Sequence, residues 1–435
     1  MKIGIYDDKF FSLQERLIIE GHDLFVFVGN HDIPADKFNL TSVSGPGTLT
    51  QARTFIDLID EDCDFYITGT DQDDQAFDIL KSLGHLVIGY SESVCELEYN
   101  RDYAQRVLLM LDVDSLGLKL PVQHSFTSPK QVEEFLLGER KSWVIKKANG
   151  LESQDNRTVV SHFPHTQVCS ILIGNRAWFN EEGYGGVVVE QFIQGNEVCF
   201  GRWFNGTKFV GPLYACEEHK GAQNGDRGRI LTGEVGGWLQ HYEKPKGLMV
   251  EVFERLEDIL KNKCCGLVDI NTIINSEGVY FLEFTMRFGR PTLEYLVGSM
   301  KPKTHFAEFL SQLASGQSPS YNAHKVVAGV TVFSYGIPLS SSNIPCILFN
   351  PPYCNLQKAS VQQLFCTVED GLWKTAVDER QFTVVGFDKN ASRACANAYE
   401  PLENFSLLGC TWRDDVGLRY NDIQALLSKH KVLKK

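Results

Sequence analysis

The chain has 435 residues, of which 43% are hydrophobic and 22% charged, a composition typical of folded proteins that excludes long disorder, collagen and coiled coil. At about 150 residues per domain, this length predicts roughly three globular units. Its 42 basic and 55 acidic residues give a net charge of −13, which disfavours nucleic acid and anionic lipid as main partners.

The start of the chain and its cysteines predict a cytoplasmic protein with no membrane partner. The opening MKIGIYDDKF has acidic residues where a signal peptide needs an apolar run, and no later window offers about 18 uncharged apolar residues. The twelve cysteines are scattered, and the one close pair, Cys264 and Cys265, is adjacent, so the sequence has no C-x-x-C spacing. We therefore expect reduced, mostly buried thiols.

The first hundred residues alternate between strand and helix patterns. Strands are predicted at Lys2–Tyr6, Asp23–Val28, Asp64–Thr68 and His85–Gly89, and helices at Phe11–Glu20, Gln51–Ile59 and Asp74–Leu83. This alternation predicts an N-terminal domain with a parallel sheet over residues 1–103.

Ligands of parallel sheets bind beyond the carboxyl ends of the strands. The candidate substrate contacts are therefore the loops Tyr6–Lys9, Gly29–Asp32, Gly69–Gln72 and Gly89–Ser91. Ordinary strand-to-helix turns are the alternative interpretation, since glycine and aspartate also favour turns.

A predicted strand at Trp143–Lys147 carries two consecutive lysines and runs into a glycine turn. Neighbouring residues of a strand face opposite sides, so Lys146 and Lys147 lie in different environments. A lysine that faces inward from a strand usually holds an anion. The alternative is an edge strand with both amines in solvent.

The next segments are rich in strands and glycine. Strands are predicted at Gly186–Phe192, Val198–Phe204 and Thr207–Pro212. The following stretch, Glu217–Gly237, has six glycines in 21 residues and too little apolar periodicity for a regular element. A loop of this length inside a compact domain is usually functional.

A helix at Gly247–Lys261 precedes a predicted hairpin of Gly266–Ile274 and Val279–Phe284. Asp269 and Asn271 share one face of the first strand, and Glu283 and Thr285 share one face along the second, so their oxygens can converge. Such a set suits Mg²⁺, which takes few carboxylates together with water and substrate phosphates. The alternative is a polar row that faces solvent.

The rest of the chain predicts a small C-terminal domain of mixed β structure over residues 321–435. A helix at Thr304–Ala314 and a polar linker at Ser315–Asn322 precede this domain. Its predicted elements are the strands Val326–Ser334, Leu364–Glu369 and Gln381–Asp388, the helix Ala391–Tyr399 and the segment Trp412–Tyr420. The central domain then spans 104–320, with a smaller lid-like part over 104–185 and a main part over 186–320.

Five motifs occur in the order found in one enzyme family. They are KANGL at Lys147–Leu151, VEQFIQGNE at Val189–Glu197, EHKGAQNGDRG at Glu218–Gly228, LEFTMRFG at Leu282–Gly289 and WRDDVGLR at Trp412–Arg419. They are similar to the family's KADGL, IEEFLxGxE, DHKRVGDGDTG, LEFNxRFG and YRxDIGxR. Over nearly its whole length the chain resembles the ATP-grasp ligases, and within them the glycinamide ribonucleotide synthetase (phosphoribosylamine–glycine ligase) family.

The resemblance implies an ATP-grasp central domain and a two-step ligase reaction of purine biosynthesis. ATP would phosphorylate the carboxylate of glycine, and the amine of phosphoribosylamine would then attack the acyl phosphate. ATP and Mg²⁺ or Mn²⁺ are the implied cofactors, and the protein would be a monomer or a small homo-oligomer. Phosphoryl transfer needs charge neutralisation, which lysine, arginine and magnesium supply.

The resemblance also implies roles for individual residues. The implied metal ligands are Glu283, Thr285 and Asp269; the implied ATP contacts are Arg101, Lys147, Glu190, Gln191, Phe192, Ile193 and Glu197; and the implied catalytic residues are Arg287, Lys220 and Asp226. Lys146 stays an alternative to Lys147, because sliding the motif by one residue gives V-I-K. His219 has a structural or a catalytic role with equal support.

The chain departs from the family pattern mainly where the amine acceptor would bind. It reads GIYDDKFFSLQER where the family has a GxGGREH loop, GLESQDN with Asp155 in place of GLAAGKG, and RFGRPT with Arg290 and Thr292 in place of RFGDPE. Phosphate cradles of backbone N–H groups need glycine for close approach. Two alternatives therefore stand beside the family's reaction: a ligase for a different amine, and a non-catalytic ATP-binding homologue.

Overall fold

The computed structural model describes residues 1–6, 11–28, 45–69, 75–147, 159–165, 186–221, 223–226, 234–301, 304–334, 347–369, 371–375 and 380–433. These residues form a mixed α/β structure with one large mixed sheet and two smaller sheets, which confirms the predicted fold class. None of the helices within these ranges has the length and apolar character needed to span a bilayer.

The N-terminal strands form the predicted parallel sheet, in the order β3-β2-β1-β4-β5. The strands are β1 Lys2–Tyr6, β2 Asp23–Phe27, β3 Thr48–Ala52, β4 Phe65–Thr68 and β5 Val87–Tyr90, and the helices are α1 Phe11–Ile19, α2 Phe55–Asp60 and α3 Gln75–Ser82. Strands β1, β4 and β5 are almost wholly buried, as expected of a parallel sheet covered on both faces.

The predicted helix Gln51–Ile59 was wrong at its start, and the sheet has five strands where four were predicted. Thr48–Ala52 is a strand, and the helix begins only at Phe55. A capping box fixes this boundary: the Thr54 hydroxyl accepts from the Asp57 N–H at 3.1 Å, and the Asp57 carboxylate accepts from the Thr54 N–H at 2.9 Å.

Glu15 on α1 gives the protein a pH-dependent stability. Burial raises the pKa of Glu15 from 4.5 to about 7, so the folded chain binds this proton more tightly than the unfolded chain, and stability falls as pH rises between these values. Because the side chain is only partly buried, we expect Glu15→Gln to stabilise the protein by about 1–2 kcal/mol more at pH 8 than at pH 5. Urea midpoints at the two pH values measure this difference; equal shifts would contradict the prediction.

The central sheet is antiparallel and continues the N-terminal sheet. Its strands are β11 Asn196–Phe204, β12 Phe209–Glu217, β13 Gly236–Tyr242, β14 Cys264–Ile274 and β15 Val279–Thr285. Strand β14 lies between β11 and β15 and also pairs with β5 through Tyr90 and Cys264. The carboxyl end of β5 therefore lies beside the β14–β15 hairpin. Both predicted hairpins, β11–β12 and β14–β15, are confirmed, and β12 continues five residues beyond its predicted end at Pro212.

A separate four-stranded antiparallel sheet has the order β7-β10-β8-β9. Its strands are β7 Gln123–Phe126, β8 Trp143–Lys147, β9 Val159–Ser161 and β10 Val187–Gln191. Helix α6, Pro129–Gly138, packs against the face that carries Trp143 and Ile145. Strand β8 has a partner on each side, so the edge-strand interpretation of its two lysines was wrong.

The remaining helices cover the sheets. They are α4 Glu92–Tyr99, α5 Arg101–Met110, α7 Leu248–Leu260, α8 Thr292–Gly298, α9 Phe306–Ala314, α10 Ala391–Tyr399 and α11 Tyr420–Lys429, with single 3₁₀ turns at Val113–Leu116, Asn224–Asp226 and Glu400–Leu402. Helix α7 buries seven residues, among them Phe253 and Leu256, in the core beneath β11, β12 and β14. The apolar period of 3.6 residues in this segment therefore marked a true core-facing helix.

The last part of the chain extends the central sheet. The strands are β6 Leu118–Lys119, which pairs with β15, and β16 Val326–Ser334, β17 Leu348–Phe349, β18 Ala359–Gln363, β19 Thr367–Glu369, β20 Leu372–Lys374, β21 Arg380–Asp388 and β22 Cys410–Thr411. Strand β16 pairs with β13, so backbone hydrogen bonds cross the predicted boundary at residue 320. The predicted strand Leu364–Glu369 was wrong at its start, because the N–H groups of Leu364, Phe365 and Cys366 all converge on the Gln381 carbonyl in a turn.

Candidate active site

The β14–β15 hairpin places the four predicted oxygen donors on one face. Asp269 is paired with Thr285, and Asn271 with Glu283. Asp269 and Asn271 are buried, whereas the Glu283 side chain is 29% exposed. Cross-strand partners lie on the same side of a sheet, so Glu283 is the accessible carboxylate of this set.

Lys220 joins Glu283 to two further carboxylates. Its ammonium forms ion pairs with Glu197, with Glu283 Oε1 at 3.3 Å and with Glu218 Oε2 at 3.5 Å. We call Glu197, Glu218 and Glu283 the carboxylate cluster. The other oxygen of Glu283 lies 3.5 Å from the Arg101 guanidinium at the start of α5.

The charges in this cluster depend on one another. Burial alone would raise the pKa of Glu283, but the nearby Lys220, Arg101 and Lys146 outweigh it and lower that pKa. Burial acts against the charge of Lys220, yet the three carboxylates raise its pKa well above the ordinary value. Burial raises the pKa of Glu218 to about 7, and Lys220 only partly opposes this. Glu283 and Lys220 are therefore charged at neutral pH.

Lys146 faces the same cleft from the smaller sheet. Its ammonium lies 2.6 Å from Glu190 Oε2, and both residues are buried. Lys146 and Glu190 occupy the face opposite the one that packs on α6, and a pocket between this sheet and β15 is lined by Glu190, Arg101 and Glu283. Charged side chains of both sheets and of the helix that starts at Arg101 thus meet at one cleft.

Some predicted residues are only partly covered by the structure. The backbone of Lys147 pairs with Val187, but its side chain lies outside the described residues, as do Asp155, the side chain of Asp226 and most of the loop Tyr6–Lys9. The loop Gly29–Asp32 and residues 70–72 also lie outside them. Their predicted roles stay predictions.

The backbone of Glu190–Ile193, which the resemblance implies would contact the adenine of ATP, is already used in part. The N–H of Gln191 donates to the Val122 carbonyl at 2.8 Å, and the N–H of Phe192 donates to the Ser142 carbonyl at 3.0 Å. The Phe192 ring lies edge-on to His162. Any backbone contact from Glu190–Ile193 to a base therefore uses other groups of this segment.

Arg287 and Asp269 each have a hydrogen-bonded partner. The guanidinium of Arg287 donates to Glu98 Oε1 at 2.9 Å, and the Met286 N–H donates to the other Glu98 oxygen at 2.6 Å. Asp269 accepts a hydrogen bond from the Tyr214 hydroxyl at 2.5 Å, and burial raises the pKa of Asp269 well above its usual range. Asp269 is thus less suited than Glu283 to act as a charged ligand.

Gly201 on β11 makes the Tyr214–Asp269 hydrogen bond possible. It is the cross-strand partner of both residues, and a Cβ atom at this position would overlap the Tyr214 hydroxyl and Asp269 Oδ1. We expect Gly201→Ala to lower the free energy of unfolding by about 2–3 kcal/mol, measured by urea unfolding. Gly138→Ala, with open space around the new methyl group, is the matched control. A Gly201→Ala variant as stable as the control would contradict this packing argument.

The site fits a magnesium ion held by few protein ligands. No three histidine, cysteine or acidic side chains among the described residues form a complete metal site. Mg²⁺, however, commonly takes one or two carboxylates and completes its shell with water and phosphate oxygens. Glu283 offers a charged carboxylate, and the buried Oδ1 of neighbouring Asn271 has no hydrogen-bond partner within the described ranges.

Three residues of this arrangement had no role in the sequence-based interpretation: Glu98, Glu218 and Tyr214. Glu218 lies within the EHK motif beside Lys220, so the motif itself was a signal for it. Glu98 and Tyr214 carried no local signal, since they reach the site from α4 and β12 through contacts distant in sequence.

Comparisons with known proteins agree with this architecture. Residues 104–293 match the family model of the phosphoribosylglycinamide synthetase ATP-grasp (A) domain. The phosphoribosylamine–glycine ligase of Streptococcus pneumoniae (strain R6) is 23% identical over 341 residues, which cover 74% of this chain and 77% of that protein. The trifunctional purine biosynthetic protein adenosine-3 of Bos taurus is 23% identical over 353 residues, or 78% of this chain and 34% of that protein.

Solved structures show the same fold. The crystal structure of phosphoribosylamine–glycine ligase from Thermotoga maritima has a TM-score of 0.65 to this chain at 16% identity and covers 96% of it and 100% of that protein. The biotin carboxylase domain of the 2-oxoglutarate carboxylase from Hydrogenobacter thermophilus has a TM-score of 0.64 at 9% identity, over 99% of this chain and 97% of that one. At these identities the likeness concerns the fold.

Proposed function

We propose that this chain, an ATP-grasp protein of the phosphoribosylglycinamide synthetase type, is an ATP-dependent ligase that joins a carboxylate to an amine through an acyl phosphate. The observation that carries the proposal is the cleft between the two sheets, where Lys146, Arg101 and Lys220 surround Glu283. Such a concentration of cations around one accessible carboxylate suits a polyphosphate with its magnesium.

Different residues of the cleft would hold the metal ion and the phosphates during phosphoryl transfer. Glu283 and the Asn271 oxygen would hold Mg²⁺ or Mn²⁺, with Thr285 and Asp269 on the same face. The bound metal would neutralise phosphate charge. Lys146 or Lys147, together with Arg101, would bind phosphate oxygens and orient the transferred group.

The other predicted residues would bind the remaining parts of the substrates. Glu197 would accept hydrogen bonds from the ribose hydroxyls, and Lys220, its present ion-pair partner, would then turn to the amino acid carboxylate. Asp226, with Lys220, would face the amino acid and the acceptor amine, and Arg287 would clamp phosphate oxygens. The carboxylate oxygen attacks the γ-phosphorus of ATP, ADP leaves, and the amine then attacks the acyl carbon with release of phosphate.

The names of the relatives support a specific reaction. We infer that the substrates are glycine and phosphoribosylamine and that the product is glycinamide ribonucleotide, an intermediate of purine biosynthesis. The test is ADP release with ATP and magnesium, first with glycine alone and then with glycine and freshly generated phosphoribosylamine, with the product read by mass. Glycinamide ribonucleotide is expected; ATP binding without any turnover would instead indicate a non-catalytic homologue.

A different amine acceptor is the second candidate, and one observation favours it. The guanidiniums of Arg290 and Arg380 lie 5.3 and 5.5 Å from the centre of the same Phe365 ring, and Arg380 donates to the Arg290 carbonyl at 3.2 Å. Arg290 stands where the family motif has an acidic residue, so the chain differs in charge from the family pattern where the amine acceptor would bind. ADP release that depends on another amine, without glycinamide ribonucleotide, would support this candidate.

A further inference from the structure

Residues 413–419 of the C-terminal WRDDVGLR motif lie against the glycine-rich loop that carries Lys220. We call these residues the C-terminal clasp, and we propose that they position Lys220 within the carboxylate cluster for the ligase reaction. The inference rests on the proposed function, since it assigns positioning residues to that same site. It gives the C-terminal motif a physical role that the chemistry of the cleft alone does not require.

Arg413 is the buried centre of the clasp. Its side chain is 1% exposed, and it donates to the two Asp415 oxygens at 2.8 and 2.7 Å. Its remaining terminal nitrogen donates to the carbonyl of Gly221, the residue directly after Lys220. A bidentate pair of this kind fixes the orientation of the guanidinium, so the Gly221 carbonyl is held in a defined place.

The acidic residues of the clasp hold the loop a few residues after Lys220. Asp415 accepts from the Gly225 N–H at 2.7 Å, and the Asp414 N–H donates to the Asn224 side chain at 3.2 Å. Burial acts to raise the pKa of Asp415, but Arg413 and the Gly225 N–H outweigh it and lower that pKa. The loop is therefore bound at residues 221, 224 and 225 by one short segment.

Arg419 holds the loop on the other side of Lys220. It donates to Glu217 Oε1 at 2.7 Å and to His219 Nδ1 at 2.8 Å. The His219 side chain is buried and its Nδ1 is bonded to Arg419, which favours the structural interpretation of His219. Residues on both sides of Lys220 are thus fixed by two arginines of the same motif.

The clasp itself is anchored to helix α10. The Tyr399 hydroxyl donates to the Arg413 carbonyl at 3.0 Å and accepts from the Val416 N–H at 3.1 Å. Gly417 has a φ of +84°, and a Cβ atom there would overlap the Cys395 sulfur. Glycine supplies this left-handed turn without strain, so the clasp can lie close against the helix.

These contacts fix a segment whose sequence does not by itself favour one backbone conformation. The stretch Glu217–Gly237 contains six glycines, whose conformational freedom opposes a single arrangement. Lys220 nevertheless has its ammonium in one defined place, in ion pairs with three carboxylates. Holding the backbone on both sides of Lys220 reduces the entropy lost when substrate binds, which is a contribution to positioning.

The test uses the full chain with Arg413→Lys and Arg419→Lys, and Arg393→Lys as the control, because Arg393 is exposed on α10. Hydrogen exchange by mass spectrometry is followed in peptides from residues 217–226 and from β14. We expect exchange at least about tenfold faster in 217–226 for both clasp variants and unchanged in β14. In the ligase assay, kcat should fall at least about tenfold while KM for ATP changes less than about twofold.

Tyr399→Phe provides a milder variant if Arg413→Lys fails to fold, since it removes only the anchoring hydroxyl. Unchanged exchange in 217–226, or an equal acceleration in β14, would overturn the clasp as a positioning device. A wild-type chain without turnover would count against the proposed function. Local acceleration of exchange would then still support the clasp, and its absence would still overturn it.

Discussion

Glu283→Gln is expected to abolish ligase turnover, with kcat reduced by about a thousandfold or more. The substitution keeps the size of the side chain but removes the charge that Lys220, Arg101 and Lys146 stabilise. A neutral amide oxygen binds Mg²⁺ more weakly than a carboxylate, so the metal and the phosphates would lose their shared anchor. ADP formation with glycine and phosphoribosylamine measures the effect.

Glu277→Gln is the matched control for this experiment. Glu277 lies in the exposed turn of the same β14–β15 hairpin and contributes its backbone carbonyl, rather than its carboxylate, to a hydrogen bond with Lys119. We expect the control to retain full activity and both variants to keep a cooperative thermal transition. Turnover by Glu283→Gln within tenfold of wild type would remove Glu283 from the proposed metal site.

Lys146→Met is expected to raise the dissociation constant for ATP by about ten- to a hundredfold, which corresponds to about 1.4–2.8 kcal/mol. The Lys146 ammonium lies in the cleft with Glu190 and contributes positive charge at Glu283. Phosphate oxygens that bind beside Glu283 would therefore have a buried cation nearby. Calorimetric titration with MgADP and a non-hydrolysable ATP analogue measures the loss.

The control separates nucleotide binding from folding. Lys146→Met alone leaves the buried Glu190 carboxylate without its partner, which is itself destabilising. The double variant Lys146→Met with Glu190→Gln removes this penalty, and we expect it to recover stability but not nucleotide affinity. Lys147→Met tests the other lysine of the motif. If only Lys147→Met weakens binding, the KANGL register identifies the ATP lysine and Lys146 is structural.

The sequence indicated most of the elements because their signals are local. Helix α7 and the β14–β15 hairpin have the apolar periods of their element types, and both were predicted close to their observed bounds. The start of α2 was missed because a capping box, rather than a change in hydrophobicity, sets it. Strand β18 was missed since its alternation of polar and apolar residues is weak.

The candidate site was predictable only where its residues stand in motifs. Glu197, Lys220 and Glu283 each lie in a recognisable segment, and the structure brings these three together. That Lys146 faces the cleft was not predictable, because two adjacent lysines on a strand leave the choice of face open until α6 covers one side. Glu98 and Tyr214 stand in no motif, and the WRDDVGLR motif of the clasp gave no indication that it contacts the loop of Lys220.

The sequence by itself determined the order of the elements and the chemistry available, since apolar periodicity, turn residues and charged side chains are local properties of the chain. Only the tertiary structure decided which charges share a cleft. Lys220, Glu283 and Arg413 are far apart in sequence, and their connection through the loop at 217–226 depends on strand pairing and burial. Partial burial also sets how strongly these charges act on one another, because it weakens the screening by water.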